Sequence, residues 1–328
     1  MGDLAAADGT FWELFARGGH GWVLLTPPGV ATNGGVVGVL DPSNAVTAAV
    51  VPSANLRFSP VAATDDLGRT WSTGILPGGI VAAAGAMAAS QSGRRLVLLS
   101  AGGGTVAVGT RGLSTWTTIG DTSRIAAMTA TSGCRLSTLR AVAFGPGGSV
   151  VVGGTCTRGV GAPIAVWRRG AWHVGAPVPG GTNAVVLRLA GLSHGVGALV
   201  ETHLHGKRAV IAAVSPDGLG PWTATPPLVF AAGDTVVSTS EGADGAAIVV
   251  VRSTAGTLLA YSTGPGSGRW AALRSLPAHV VDVVAKPGAG FQALAVEHRT
   301  MLVVFDATRS SWRVVQRLVV PISFGSSS

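Results

Sequence analysis

Charged residues are scarce in this sequence, making up 12% of its 328 residues against about a quarter in an average globular protein. Since 47% of the residues are hydrophobic, this scarcity excludes an intrinsically disordered chain. Long helices and coiled coils are excluded as well, because 49 Gly and 18 Pro interrupt nearly every stretch of the chain. No segment is typical of a bilayer span: the uncharged run 74–89 consists mostly of Gly and Ala and contains Pro77. We therefore expect a globular protein of one large domain or two ordinary ones.

Lysine is nearly absent, because 21 of the 23 basic residues are Arg, and the net charge is +8. Together with abundant Ala, Gly, Val and Pro, this skew is typical of a GC-rich genome, so the high pI carries little weight as evidence for a nucleic-acid partner. The Arg residues are scattered, whereas a nucleic-acid binder concentrates them in a stripe with aromatic residues between them. We therefore predict no nucleic-acid partner.

Cysteine occurs twice, at Cys134 and Cys156. Between them the sequence predicts a strand at 139–144, a turn at 145–148 and a strand at 149–153, so both sulfurs fall near the open end of one hairpin. Paired in register, these strands bring the sulfurs within disulfide distance. We predict a disulfide and an oxidising compartment, and two unrelated buried thiols are the alternative.

The first residues are polar and acidic and lack the basic and apolar segments of a signal peptide. Two interpretations remain: a cytosolic protein, or an exported protein whose signal sequence has been replaced by Met1. The predicted disulfide favours the second interpretation. We expect a secreted, cell-surface or periplasmic bacterial protein without a transmembrane segment.

Tryptophan recurs just after a turn, at intervals of 45, 56, 50, 48 and 42 residues. The positions are Trp71, Trp116, Trp172, Trp222, Trp270 and Trp312. Runs of β-branched and apolar residues precede each Trp. Repeats of about 40 to 50 residues, each with four short strands, are typical of a β-propeller.

The clearest repeat predicts strands at 235–240, 246–252, 257–262 and 269–276, and the next at 280–285, 291–297, 301–306 and 311–319. Helical periodicity never persists over about 11 residues. We therefore predict an all-β fold, a six-bladed β-propeller with four antiparallel strands per blade, as a single domain over residues 1–328. Because residues 1–70 are too long for one repeat, we predict an insertion in the first blade at residues 27–55; a seventh blade is the alternative.

One turn resembles the Asp box of sialidase-like, BNR-repeat propellers. The matching residues are Thr64, Asp66, Gly68, Thr70 and Trp71, and a degenerate copy contains Asp217 and Trp222. The resemblance implies that the box lies between the third and fourth strands, on the face opposite the ligand site. It also implies structural roles: the Asp accepts backbone N–H groups, the Gly adopts a left-handed conformation and the Trp packs between blades.

In a propeller with this strand order, the turns between second and third strands and the connections between blades share the ligand-binding face. The candidate ligand site consists of the polar residues predicted there: Arg158, His203, His205, Lys207, Arg208, Glu297, His298 and Arg299. Its basic residues favour an anionic ligand such as an acidic sugar, a phosphate or a carboxylate. An ordinary solvated rim is the alternative.

A metal hypothesis concerns Glu201, His203 and His205, which lie on one side of the chain if residues 201–205 form a strand. Such residues hold Zn or another transition metal. Gly206 and Lys207 follow at once, however, and predict a hairpin tip at which His205 leaves the strand. A solvated polar edge is the alternative, and beyond this hypothesis we expect no cofactor.

The catalytic residues implied by a sialidase resemblance are not matched. The only Tyr, Tyr261, falls on a third strand near the Asp-box side, and the whole chain contains four Glu. We therefore expect a non-catalytic, exported and monomeric propeller that binds a protein or glycan of the bacterial envelope or medium. The alternatives are a glycan-active enzyme with a different catalytic set and an assembly factor of the Asp-box type.

Overall fold

A computed structural model describes most of the chain. The residues outside the description are 1, 7–8, 14, 19–20, 25–35, 41–45, 51–59, 65, 67, 76–83, 91, 93–94, 101, 103, 111–114, 131–132, 265–267, 274–275, 278, 287–289, 299–300, 308–310 and 320–328. For the described residues among 2–61, and for 73–75 and 84, only the backbone is described.

Short strands pair antiparallel in chain order from the first residues onward. Two hairpins come first, β1 Gly2–Ala6 with β2 Gly9–Glu13, and β3 Phe15–Gly18 with β4 Gly21–Leu24. A four-stranded sheet follows, formed by β5 Val36–Leu40, β6 Val46–Val50, β7 Pro60–Thr64 and β8 Ser72–Ile75. The next four-stranded sheet consists of β9 Ala84–Ala89, β10 Arg95–Ser100, β11 Thr105–Thr110 and β12 Trp116–Asp121.

The middle of the chain forms a nine-stranded sheet that contains two such repeats. The first consists of β13 Cys134–Phe144, β14 Val150–Gly159, β15 Ile164–Arg168 and β16 Ala171–Val174. The second consists of β17 Thr182–Leu192, β18 Gly195–Leu204, β19 Lys207–Ser215 and β20 Thr223–Ala224, with β21 Leu228–Val229 also paired to β19. The two repeats are joined by the pair Thr155–Val185.

Two further four-stranded sheets complete the description. One consists of β22 Thr235–Glu241, β23 Ala247–Arg252, β24 Leu258–Thr263 and β25 Ala271–Ala272. The other consists of β26 Val280–Ala285, β27 Phe291–Glu297, β28 Met301–Ala307 and β29 Trp312–Val319. These strands confirm the repeats predicted at 235–276 and 280–319, although β25 is much shorter than predicted.

The prediction of an all-β chain built from antiparallel four-stranded units is confirmed. Each of the six recurring Trp residues lies within one residue of the start of the fourth strand of its repeat. Residues 27–55, predicted as an insertion, contribute β5 and β6, in keeping with their apolar sequence. The rest of that segment lies outside the described residues.

The core lies between successive sheets, where the first strand of one repeat contacts the first strand of the next. Small apolar side chains fill this space: Val151, Val186 and Val200 are fully buried in one cluster between the repeats β13–β16 and β17–β20. Valine and alanine suit these positions because they pack closely on a pleated surface.

Tryptophan indoles tie three of the repeats to the preceding one. The indole N–H of Trp172 donates to the carbonyl of Ile119 in β12 at 2.7 Å. The same bond recurs one and two repeats later, from Trp222 to the carbonyl of Ala176 at 3.0 Å and from Trp270 to that of Pro226 at 3.1 Å. In all three cases the acceptor lies in, or just after, the fourth strand of the previous repeat. The recurrent Trp therefore joins neighbouring repeats in addition to filling space.

We expect Trp172→Phe to lower the free energy of unfolding by about 1–3 kcal/mol, because it leaves a buried carbonyl without a partner. Trp172 itself is buried. The measurement is urea denaturation of the variant beside Trp222→Phe, whose hydrogen bond is exposed to solvent. Equal losses in the two variants would show that burial of this bond is unimportant.

A helix was not predicted, yet α1 Thr122–Thr129 connects β12 to β13. Its N-terminus is capped by Asp121, whose side chain accepts the N–H of Arg124 at 2.8 Å. Eight residues are too few to show helical periodicity over the span that the prediction required.

The turn between β7 and β8 is organised by the carboxylate of Asp66. Its oxygens accept the hydroxyl and the N–H of Thr70 and the hydroxyl of Thr64, and Gly68, at φ 81°, donates to Thr64. These bonds, chiefly that from the Thr70 hydroxyl, lower the pKa of Asp66 to about 2. The turn before β20 repeats part of this arrangement, since Ser215 Oγ accepts the N–H of Gly218 at 3.1 Å. The Asp66 carboxylate thus has a structural role, which is to stabilise this turn.

Candidate functional site

The ends of the sheets are aligned from repeat to repeat. Turns between first and second strands lie side by side in neighbouring repeats, since the Ser193 N–H donates to the Ala243 carbonyl at 2.9 Å and Arg95 to the Gly148 carbonyl at 3.1 Å. The turns between second and third strands, with the connections between repeats, must therefore share the opposite end. We call this end the 2–3 edge.

The predicted ligand residues lie on the 2–3 edge, but on three different repeats. Arg158 is exposed at the end of β14, and Lys207 is exposed at the start of β19. His205 and His298 occupy turns with φ of 50° each, and Glu297 ends β27. Arg299 lies outside the described residues.

Glu201 and Arg208 form an ion pair across β18 and β19, with Arg208 Nε 2.7 Å from Glu201 Oε1. Arg208 also donates to the carbonyl of Asp234 at 2.8 Å. His203 lies opposite Arg208 in the ladder, and β18 ends at Leu204, so the predicted hairpin tip at His205 is confirmed. Through these contacts Glu201 and Arg208 hold the segment around Asp234, which precedes β22, against β18 and β19.

Among the residues that the structure describes, no three His, Cys, Asp or Glu side chains come together as metal ligands. Glu201, the carboxylate of the metal hypothesis, is engaged by Arg208.

The predicted disulfide is confirmed: Cys134 and Cys156 are bonded, with their Cα atoms 5.6 Å apart. It joins β13 and β14 at the open end of their hairpin, as the sequence indicated. Both cysteines are buried, and each is followed directly by a residue that lines a cavity, namely Arg135 and Thr157. The disulfide thus fixes the walls of that cavity.

Two cavities lie along β13 at the 2–3 edge. The larger, of about 530 Å³, lies between helix α1 and the hairpin β13–β14. Its lining includes Thr122, Ser123, Arg135, Ser137 and Thr157. This volume is in the range of small-ligand sites. We call it the helix cavity.

The second cavity, of about 260 Å³, lies between β13 and the ends of β9 and β10. Its lining includes Gly85, Ser100, Gly102, Thr138 and Arg140. We call it the strand cavity. Residues 136–139 of β13 separate the two cavities, so one strand borders both.

β-Bulges place the polar residues of β13 on the surface. The pairing with β14 shifts register three times, between Arg135 and Leu136, between Leu136 and Thr138, and between Leu139 and Ala141. As a result Arg135, Ser137 and Arg140 are all exposed, which simple alternation along a strand does not allow. Bulges commonly re-aim side chains beside functional sites.

Three arginines of the hairpin are available to a ligand. Arg135 and Arg158 are paired across β13 and β14, and Arg140 borders the strand cavity. Within the described part of the chain, none of the three forms an ion pair with a carboxylate. Unneutralised guanidinium groups attract anions and bind carboxylates or phosphates in a bidentate manner.

Arg158 was a candidate from the sequence, whereas Arg135 and Arg140 were not. Their strand was predicted to begin at residue 139, so Arg135 was assigned to no element. The only sequence signal for an earlier start of this strand was the predicted disulfide at Cys134.

No helix in the described residues is long and apolar enough to cross a membrane.

No protein-family model and no curated protein matches the sequence. Solved structures do match. A protein from Lactobacillus plantarum aligns with a TM-score of 0.59 at 12% identity, over 97% of this chain and 94% of that one. A protein from Bacteroides uniformis named as a 6-phosphogluconolactonase aligns with a TM-score of 0.57 at 17% identity, over 96% and 93%.

A prolyl endopeptidase also aligns, with a TM-score of 0.57 at 15% identity. The match covers 96% of this chain but 47% of the endopeptidase, so this chain spans about half of that enzyme. The fold is of the propeller type. At such low identity the likeness extends to the fold and carries no activity to this chain.

Proposed function

We propose that this chain is a non-catalytic, exported binding protein whose anionic ligand lies at the 2–3 edge, beside the hairpin β13–β14. The observation that carries the proposal is the set of three arginines that form no ion pair with a carboxylate of the described residues, next to two cavities lined by hydroxyl groups. Within the proposal the sheets form a six-bladed propeller of the sialidase-like type, with the Asp66 turn as its Asp box.

Electrostatics supports an anionic ligand. The net charge of +8 attracts anions at long range. The arginines at the cavities can then form ion pairs with them. The hydroxyls of Ser137 and Thr157 donate to the backbone of the facing strand, at 3.3 Å to Thr155 O and 3.1 Å to Arg135 O. Their remaining lone pairs can accept hydrogen bonds from ligand hydroxyls.

Two carboxylates near this edge, those of Glu201 and Asp282, have structural roles, which supports binding over glycoside hydrolysis. Glu201 is held by Arg208, and Asp282 accepts the hydroxyl of Ser238 at 2.6 Å and the N–H of Val283 at 2.8 Å. Hydrolysis of a glycosidic bond ordinarily requires two carboxylates facing the same bond.

The disulfide supports export. A buried disulfide forms and persists in oxidising surroundings such as the periplasm or the medium. We therefore propose that the partner is a component of the cell envelope or the medium, and that the chain acts as a monomer.

The proposal is tested by the binding of polyglucuronate, followed by calorimetry, with a neutral polysaccharide for comparison. We expect the wild type to bind the acidic polymer, and the triple variant Arg135→Ala, Arg140→Ala, Arg158→Ala to lose at least about tenfold in affinity, because each charged contact contributes on the order of 1.5–3 kcal/mol. The triple variant Arg69→Ala, Arg169→Ala, Arg317→Ala removes the same charge from exposed positions elsewhere and should retain binding.

Equal affinity in both triple variants would overturn the assignment of the site. Hydrolysis of any chromogenic glycoside by the wild type, lost in a variant of this edge, would overturn the non-catalytic assignment.

A further inference from the structure

The two cavities beside β13 differ from a simple anion pocket in their arrangement. Each has its own arginine, Arg135 in the helix cavity and Arg140 in the strand cavity, and each has its own hydroxyl groups. The two arginines are five residues apart on one extended strand, which separates their Cα atoms by at most roughly 16 Å. The two guanidinium groups belong to separate cavities, so each can hold an anionic group of its own.

We infer that the site takes a linear acidic polysaccharide, which lies along β13 across both cavities and places a separate carboxylate or sulfate at Arg135 and at Arg140. The inference rests on the proposed function and names the class of ligand. The polymer crosses Ser137 and Thr138, the residues of β13 that lie between the two arginines and border one cavity each.

The pattern of polar groups favours a polysaccharide over a peptide. An extended peptide binds a sheet mainly by adding a strand, which needs a regular row of free backbone groups. The three register shifts interrupt that regularity along β13, and bulges of this kind protect a strand from such pairing. Recognition by side chains remains, and hydroxyl groups next to guanidinium groups suit a chain that itself alternates hydroxyls and acids.

The lining also disfavours single-stranded nucleic acid. Proteins that bind it stack bases on aromatic side chains. The described linings of the two cavities consist of Gly, Ala, Leu, Ser, Thr and Arg. They offer hydrogen bonds and charge without a surface for stacking.

The test compares acidic ligands of increasing length on the whole protein. The ligands are glucuronic acid, a short oligoglucuronate and a long one, with inorganic phosphate, polyglutamate and single-stranded DNA as further probes. Binding is measured for the wild type, Arg135→Ala, Arg140→Ala and the double variant, with Arg317→Ala as the charge-matched control.

We expect affinity to rise with the length of the oligoglucuronate. Each single variant should weaken binding of the long oligomer by about tenfold. In a double-mutant cycle the two losses should add for the long oligomer, because it uses both arginines. Glucuronic acid, which fills one cavity at a time, should lose one binding site in each single variant. Its affinity for the remaining site should stay unchanged.

Several results would overturn the inference while leaving the proposed function standing. One is equal affinity for the monomer and the long oligomer. Another is tighter binding of polyglutamate or DNA, with the same dependence on Arg135 and Arg140. If no acidic probe binds at any length, the proposed function itself fails.

Discussion

Replacing Glu241 by Gln is expected to abolish a loss of stability that the wild-type protein suffers as the pH rises from about 4.5 to about 8. Glu241 ends β22 and is buried, and neither of its carboxylate oxygens has a hydrogen-bond partner among the described residues. The carboxylate packs against Gly197 of β18, where it fills the space that a Cβ would need. It therefore lies between two successive repeats.

The direction of this pH dependence follows from the protonation of Glu241 in the folded and the unfolded protein. Burial raises the pKa of Glu241 from 4.5 to about 8, and the charge of Arg188 lowers it only in part. Between these values the folded protein keeps the proton while the unfolded chain releases it, so stability falls as the pH rises through this window. The loss is about tenfold in the unfolding equilibrium per pH unit, which sums to several kcal/mol.

The charged groups on the surrounding elements do not remove this effect. Arg188 of β17 directs its guanidinium to the carbonyl of Thr239, at 2.9 Å. Asp244, in the turn after Glu241, accepts the N–H of Ala246 at 3.0 Å, and His194 is exposed in the neighbouring turn. None of these side chains hydrogen-bonds to the buried carboxylate.

The measurement is urea denaturation at pH values from 5 to 9, in steps of about one unit across the window of the shifted pKa. We expect the wild type to lose stability steadily, Glu241→Gln to show a flat profile, and Glu241→Asp to keep the slope because it keeps a carboxyl group. A wild-type slope that persists in Glu241→Gln would assign the pH dependence to another group.

Removal of the disulfide has the second largest expected effect. The bonded cysteines are 22 residues apart, and for a closed loop of this length the chain-entropy relation gives a stabilisation of about 3 kcal/mol. The double variant Cys134→Ala, Cys156→Ala should therefore unfold at a correspondingly lower urea concentration, and the affinity for polyglucuronate should fall as well. The bulged stretch of β13 has an interrupted ladder, so the disulfide adds a covalent tie to β14 where the pairing is irregular.

A reducing agent provides the control. It should destabilise the wild type to the level of the double variant and leave the double variant unchanged. Wild-type stability in the double variant would show that cross-strand hydrogen bonds alone hold this hairpin.

The sequence predicts those parts of the fold that repeat. The Trp interval depends on a local pattern that recurs six times, and the structure places each of these residues at the start of a fourth strand. The disulfide was also predictable, because the turn at 145–148 places Cys134 and Cys156 near the open end of one hairpin, although bulges shift the two cysteines out of direct opposition.

The candidate site was less predictable, for a physical reason. Exposure of both Arg135 and Arg140 depends on bulges, and a bulge changes the alternation by which a strand is read from sequence. Glu241 was assigned to a polar turn, yet it is buried because Gly197, distant in sequence, provides room for it. A contact between residues so far apart in the chain leaves no pattern in the sequence near either residue.

The indole hydrogen bonds have a consequence for synthesis. In each of the three, the Trp donor follows its carbonyl acceptor by 44 to 53 residues, and the acceptor belongs to the preceding repeat. A chain that emerges from the ribosome with its N-terminus first has thus always made the acceptor before the donor. In these three repeats the docking position precedes the docking side chain in the chain, an order that favours assembly of the sheets from the N-terminal side.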